Sequence, residues 1–282
     1  MFHVEQDKIY IETKDYLFSN EKFQIINTDL KGLLKTTPQP RKENIKKYYN
    51  TKEYASHNSD KKGGISFVYK LFRKLNFYYK ASFVKLIKKD QRILDFGSGE
   101  GYFFKKFLKR GYSAFGVEPI KSTQDSEVFF SIFDKKLKKK NFKSITAWHS
   151  LEHVYDLNKT IKTFHDLLDE NGEVVVAVPN YSSFDSSYYK KYWAGFDTPR
   201  HLWHFDKNAL IKSFTSQGFS FLSSHPLLLD AYYVSLLSEN YRKSNLRILR
   251  AFVVGTISNL IGFFTKNYSS NVFVFKKPST NI

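Results

Sequence analysis

Residues 92–119 read RILDFGSGEGYFFKKFLKRGYSAFGVEP, and the rest of the chain is arranged as a frame around them. Ile93, Leu94 and Phe96 form a short apolar run cut off by glycine, the pattern of a buried parallel strand entering a tight turn, with Asp95 at its end. Gly97, Gly99 and Gly101 leave the turn bare, so backbone N–H groups can approach a ligand closely before Tyr102 to Lys109 continues as a helix. A second apolar run, Ala114 to Val117, ends in Glu118. The predicted unit is strand, glycine turn, helix, strand, acid.

Spacing separates this turn from two other nucleotide cradles. A dinucleotide fingerprint needs its third glycine at position 102, where Tyr102 stands, and a phosphate loop needs Gly-Lys-Ser/Thr, which the turn lacks. Charge agrees. The ionisable residues in or beside the turn are Asp95 and Glu100, which repel a pyrophosphate and suit a ligand bearing an ammonium and a sulfonium, as S-adenosylmethionine does. Glu118 ends the next strand, where an acid accepts hydrogen bonds from ribose hydroxyls.

The runs DFGSGEG, GVEP and SLEHV, with GEVVVAVPN followed by TPRHLWHF, resemble the class I S-adenosylmethionine-dependent methyltransferases. More narrowly, they are similar to the bacterial branch related to ubiquinone-biosynthesis O-methyltransferases and to methyltransferases encoded with surface-polysaccharide genes. The resemblance spans Tyr48 to Lys277. It implies a methyl donor as cofactor and a small or lipid-linked acceptor, such as a polysaccharide-precursor sugar or a quinone-like ring. Relatives carry a cysteine-rich knuckle near Ile26 to Leu33, where this chain has no Cys, and a tyrosine-rich stretch over the cofactor pocket, which places Tyr54, Ser56 and His57 near the site.

With 282 residues, 41% hydrophobic, the chain can bury one large core with additions. Absence of cysteine excludes disulfides and thiolate metal ligands, and the N-terminus lacks the basic-then-apolar order of a signal peptide. The expected location is the cytoplasm, at most peripheral to a membrane. Forty-five basic against 27 acidic residues give a formal charge of +18, which favours anionic partners. Nucleic acid is the weaker partner class, since no arginine–aromatic nucleic-acid motif accompanies the lysine runs.

Strand and helix patterns alternate along the chain. Lys8 to Glu12 and Phe23 to Asn27 are short β-rich runs in an N-terminal appendage, and Phe67 to Lys88 has helical periodicity with its basic positions facing water. Val128 to Phe133, Ser144 to Trp148, Val174 to Val178, Phe219 to Ser224 and Asn271 to Phe275 read as strands; Asn158 to Leu168 and Asn208 to Gln217 read as helices. Tyr181 to Asp206 reads as irregular. The expected fold is α/β, a Rossmann-like doubly wound sheet, mostly parallel with an antiparallel last strand. Its parts are an N-terminal extension (1–60), a core (61–225 and 268–282) and a helical insertion or lid (226–267). Within the insertion, Ala251 to Phe264 is too short to span a bilayer, which needs about 20 apolar residues. With Arg242, Lys243, Arg247 and Arg250 upstream, the insertion suits either a membrane surface or an ordinary lid packed on the core.

Ligands of such sheets sit beyond the carboxyl ends of the strands. The expected cofactor-binding residues are therefore Asp95, Gly97, Ser98, Gly99, Gly101, Glu118, Asp134 and Trp148. His149 and His201 are the expected bases, and Arg200 a bidentate clamp for a carboxylate or phosphate, against an alternative in which Arg200 and His201 tie their loop to the sheet. Glu152 and His153 read more simply as a helix cap or loop tie, His204 as structural, and Trp193 and Phe196 as core or acceptor-pocket wall. No metal is expected: His149-Ser-Leu-Glu-His153 matches an inverted zinc-protease signature, but the preceding strand leaves no helix to carry both histidines on one face. Two rival functions remain, a nucleic-acid methyltransferase and a cofactor-binding scaffold without turnover.

Overall fold

A computed structural model describes residues 8–49, 75–85, 88–119 and 125–279. Tyr54, Ser56, His57 and the first eight residues of the Phe67 to Lys88 run lie outside them. Among the described residues eleven strands form two sheets. In chain order they are β1 (Ile9–Lys14), β2 (Lys22–Asn27), β3 (Leu33–Thr37), β4 (Arg92–Phe96), β5 (Ser113–Val117), β6 (Val128–Phe129), β7 (Phe142–Trp148), β8 (Leu168–Pro179), β9 (Trp203–Phe205), β10 (Ser220–Pro226) and β11 (Ser270–Lys276). The helices used below are α1 (Tyr102–Leu108), α2 (Leu157–Leu167), α3 (Phe184–Tyr189), α4 (Lys207–Thr215), α5 (Leu228–Tyr241) and α6 (Arg247–Thr265).

The central sheet has the order β10-β11-β8-β7-β4-β5-β6. β4 to β8 run parallel, and β11 inserts antiparallel between β8 and β10. The uninterrupted apolar run of β8 follows from cover on both faces: Val174, Val176 and Val178 enter one core, Val175 and Ala177 another. This is the expected Rossmann-like doubly wound architecture, with the helical insertion, α5 and α6, between β10 and β11.

Three expectations change. The N-terminal strands are not a loose appendage: β1-β2-β3 form an antiparallel sheet completed by β9, in register Leu33↔Phe205, Leu34↔His204 and Lys35↔Trp203. The segment read as irregular thus contains α3 and a strand, because its alternation His204-in, Trp203-half-out finds an edge only when β3 supplies one. Ile25 and Leu34 seal the junction against Tyr189, Trp193 and Phe196, which makes the two aromatic residues core and not pocket wall. Lastly, α6 is longer than its apolar stretch, since Arg247 to Arg250 join it. At 19 residues and mean hydropathy 1.6 it matches a membrane span by length and composition alone, although its inner face is fixed to the domain by Ser258 Oγ donating to Asp185 (2.7 Å).

Candidate active site

The glycine turn is held by main chain. Gly97 and Ser98 donate to Val117 O (2.8 and 3.0 Å), and Gly99 N donates to Glu118 Oε2 (2.9 Å), so the carboxylate ending β5 is drawn against the turn. Gly97, Gly99 and Gly101 all have positive φ (74°, 52° and 81°). Their reasons differ. A Cβ on Gly97 would lie 2.3 Å from Ser150 Cβ, whereas one on Gly99 would meet no atom within 4 Å and would project into open space, the cradle itself. At the end of β4, Asp95 is buried and accepts from Thr146 Oγ1 (2.8 Å). Burial pushes its carboxyl up to about 7, against the pull of Thr146 and the Lys80 ammonium.

These residues fit the methyl donor. Buried Ser98 Oγ and Trp148 Nε1 have no hydrogen-bond partner among the described residues, an arrangement that a ligand would complete. Asp95 near the end of β4, Ser98 in the turn, Glu118 after β5 and Trp148 at the end of β7 are the residues that would hold the donor, whose sulfonium would supply an electrophilic methyl group. Asp134 does not share this role. It stands beyond β6, which ends at Phe129, and spends Oδ1 on Lys136 N (2.8 Å) as the N-cap of the single helical turn Lys135–Lys138.

His149 follows β7 directly, with left-handed φ (50°) and its N–H on Ala177 O (2.9 Å). Its ring lies between two carboxylates, Nε2 3.0 Å from Asp230 and Nδ1 3.7 Å from Glu152. Burial opposes a charge here, but Asp230 and Glu152 outweigh it and raise the imidazole to about 9. The flanking carboxylates favour the protonated ring, which argues against the general-base role expected of His149. Lys80, expected in water, instead leans over Trp148 (4.8 Å to the ring centroid); burial pulls its pKa down, while Asp230 and Asp95 favour its charge.

Arg200 is also reassigned. Only 1% exposed, its guanidinium gives Nε and Nη2 to Asp197, Nη2 to Asp15 Oδ1 (3.0 Å) and Nη1 to Tyr48 O (3.1 Å). Four of its five N–H groups are thereby used on protein, leaving no fork for a substrate anion. Asp15 is organised in turn by the β1–β2 turn, accepting from Leu17 N, Phe18 N and Ser19 N. Arg200 is a buried strut joining the N-terminal sheet to the loop that carries His201.

His201 keeps an open nitrogen. Its Nδ1 donates to Gly195 O (2.9 Å), and Nε2 stands 3.9 Å from both Glu152 Oε1 and Asp197 Oδ2, too far for a hydrogen bond to either. His153 meets it edge-on, ring centroids 4.7 Å apart, with Nδ1 on Arg200 O and Tyr49 Oη (both 2.9 Å). Burial and the neighbouring His201 lower the His153 pKa. Glu152 does not cap α2; Asp156 does, through Lys159 N. Burial would neutralise the Glu152 carboxyl, but His149, His201 and His153 together keep its pKa below the ordinary value. His204 is buried against Thr36 Oγ1 (2.9 Å) and pushed down to about 3, a neutral structural ring.

Sequence reasoning missed Asp230, Lys80 and Asp15, and it named the tyrosine-rich stretch that holds Tyr49 without singling that residue out. The three missed residues sit in no motif, and long-range packing sets their partners. Asp230 had a weak signal, as one of two acids in an otherwise basic and apolar insertion.

A family model described as "Methyltransferase domain" matches residues 67–224, more than half of the chain. No curated protein matches it. Among solved structures, phosphoethanolamine N-methyltransferase 2 of Haemonchus contortus, in complex with phosphomonomethylethanolamine and S-adenosylhomocysteine, is similar at TM-score 0.51 and 15% identity, covering 96% of this chain and 68% of that one. The same enzyme with S-adenosyl-L-methionine gives TM-score 0.51 and 16% identity, with coverage 96% and 68%. A geranyl diphosphate methyltransferase with GPP and sinefungin gives TM-score 0.50 and 11% identity, with coverage 72% and 77%. At such identities the likeness is one of fold. Joined to the glycine turn and its rim, the family match decides the matter: the chain belongs to the methyltransferase-domain family and is an S-adenosylmethionine-dependent methyltransferase.

Proposed function

We propose that the enzyme methylates an oxygen of a lipid-linked acceptor at an anionic membrane surface. The carrying observation is the outer face of α6, where Leu249, Phe252, Val253, Leu260, Phe263 and Phe264 are exposed, Phe264 to 81%. Transferring one such side chain out of water contributes about 1.5–3 kcal/mol, so a stripe of six is costly to leave in solvent. From Tyr241 to Ile282 the chain has seven Lys or Arg and no Asp or Glu. Beside the start of α6 a cleft of ≈ 990 Å³ is lined by Lys14, Lys22, Lys191, Arg242, Lys243 and Arg247. Each cation near an anionic leaflet contributes about 1 kcal/mol. Peripheral docking fits better than spanning, because the inner face of α6 is hydrogen-bonded to the domain through Ser258 and Asn259.

The resemblance to ubiquinone and polysaccharide O-methyltransferases supports a quinone-like ring or a polysaccharide-precursor sugar as the acceptor head. Transfer would break the S–CH₃ bond as the O–CH₃ bond forms, leaving S-adenosylhomocysteine, and the acceptor's hydroxyl proton would pass to water. Co-sedimentation with phosphatidylglycerol vesicles tests the reading. Wild type is expected to pellet with them and stay soluble with phosphatidylcholine alone. Phe252→Ser/Phe263→Ser should abolish pelleting at an unchanged unfolding midpoint. Equal partitioning of wild type and the double variant would sink the proposal.

A further inference from the structure

We infer that Glu152, His153 and His201 form a binding site for one divalent first-row transition-metal cation. Two imidazoles and one carboxylate are a recurrent donor set for such ions, and each residue can offer one donor atom with all three inside 4.8 Å. A tetrahedral ion with bonds of about 2.0–2.1 Å sets its donors about 3.3 Å apart; Glu152 Oε1 and His201 Nε2 stand at 3.9 Å and all three donors lie within 4.8 Å of one another, so binding an ion draws the set inward.

Three independent features prepare the site. Glu152 is 1% exposed, yet among the described residues neither carboxylate oxygen has a hydrogen-bond partner, a desolvated anion lacking what normally satisfies it. The nearest ring nitrogens, His149 Nδ1 at 3.7 Å and His201 Nε2 at 3.9 Å, are beyond hydrogen-bond distance. Next, the rings are anchored from behind. Gly195 O can only accept, so His201 donates Nδ1–H to it and keeps Nε2 for a ligand, while His153 Nδ1 is anchored by Arg200 O and Tyr49 Oη, the kind of outer partners that orient metal-bound histidine. Finally, the buried Arg200 strut and the 2.8 Å bond from Leu202 N to Glu152 O hold the two segments together before any ion arrives. The sequence reading excluded metal because it asked for a helix bearing both His149 and His153; the structure puts the third donor on a loop some fifty residues onward instead.

This deepens the proposed oxygen transfer and rests on it only for the use of the ion: with three protein donors, an open position remains for the acceptor oxygen, whose proton is then lost to water more readily. Binding itself needs neither cofactor nor acceptor, so the two readings fail separately.

The test is titration of the full chain, stripped with chelator, with Zn²⁺ by calorimetry and with Co²⁺ by visible absorption. One saturable equivalent with low-coordinate cobalt bands is expected. His201→Ala should weaken binding at least about 100-fold and Tyr49→Phe about 10-fold, while His225→Ala changes nothing. Should the histidine variants fail to fold, diethylpyrocarbonate labelling of wild type decides: Zn²⁺ should protect His153 and His201 and leave His225 reactive. No saturable equivalent, equal affinity in His201→Ala, or no protection would each overturn the inference.

Discussion

The two sides of the rim are built on opposite principles. The cofactor side is backbone: a bare turn of contiguous residues, with Gly99 facing open space and Glu118 clasping the main chain. The acceptor side is made of side chains from five separate places, namely Asp15, Tyr49, the loop after β7, the run from Asp197 to His204, and Asp230 on α5. One side works by omitting side chains; the other works only if every buried charge finds its partner. Mutations should therefore separate them, through binding on the first side and stability on the second.

Arg200→Met is expected to give the largest effect. It leaves Asp15, 0% exposed, and Asp197, 16% exposed, without their shared cation. Breaking a buried pair from one end costs about 3–5 kcal/mol, a large share of a domain's typical 5–15 kcal/mol. Urea unfolding should show that loss, and a change below about 1 kcal/mol would erase the contrast drawn here.

Gly99→Val should do the reverse. A β-branched residue at φ 52° costs about 1–3 kcal/mol in backbone strain, while its side chain fills the cradle. Calorimetry with S-adenosylmethionine should find affinity lowered at least about 100-fold, equivalent to about 2.7 kcal/mol. Retained affinity would mean that the turn does not face the cofactor.

The contrast also explains what could be read from the chain alone. The core strands and the glycine turn were legible because strand periodicity and turn chemistry are local, while the antiparallel last strand came from the resemblance. His149 was rightly placed after β7, but its contact with Asp230 was not legible, since Asp230 lies on an insertion whose packing no local pattern reports. Arg200 and His201 looked alike in TPRHLWHF; only long-range pairing with Asp15 makes one a strut, and only Gly195 O fixes the tautomer of the other. Asp134 had the right position along the chain and the wrong geometry, because β6 ends early and the side chain is consumed by a cap.

The smallest effect, and the one that sharpens the comparison most, concerns His149. Its folded pKa of about 9 lies above the ordinary 6.5, so the imidazolium stabilises the fold fully below about pH 6.5, and that contribution is lost as pH rises through 9. With the ring 32% exposed, solvent screening reduces the contribution to about 1 kcal/mol. Asp230→Asn removes the nearer carboxylate while leaving Glu152, so the ring titration followed by NMR in the presence of chelator should move down by at least about one unit. Wild type should then exceed the variant in stability near pH 6 and match it above about pH 9.5. A gap that persisted at high pH would show that Asp230 holds α5 by packing or neutral hydrogen bonds, and that the acceptor side relies less on paired charge than its geometry implies.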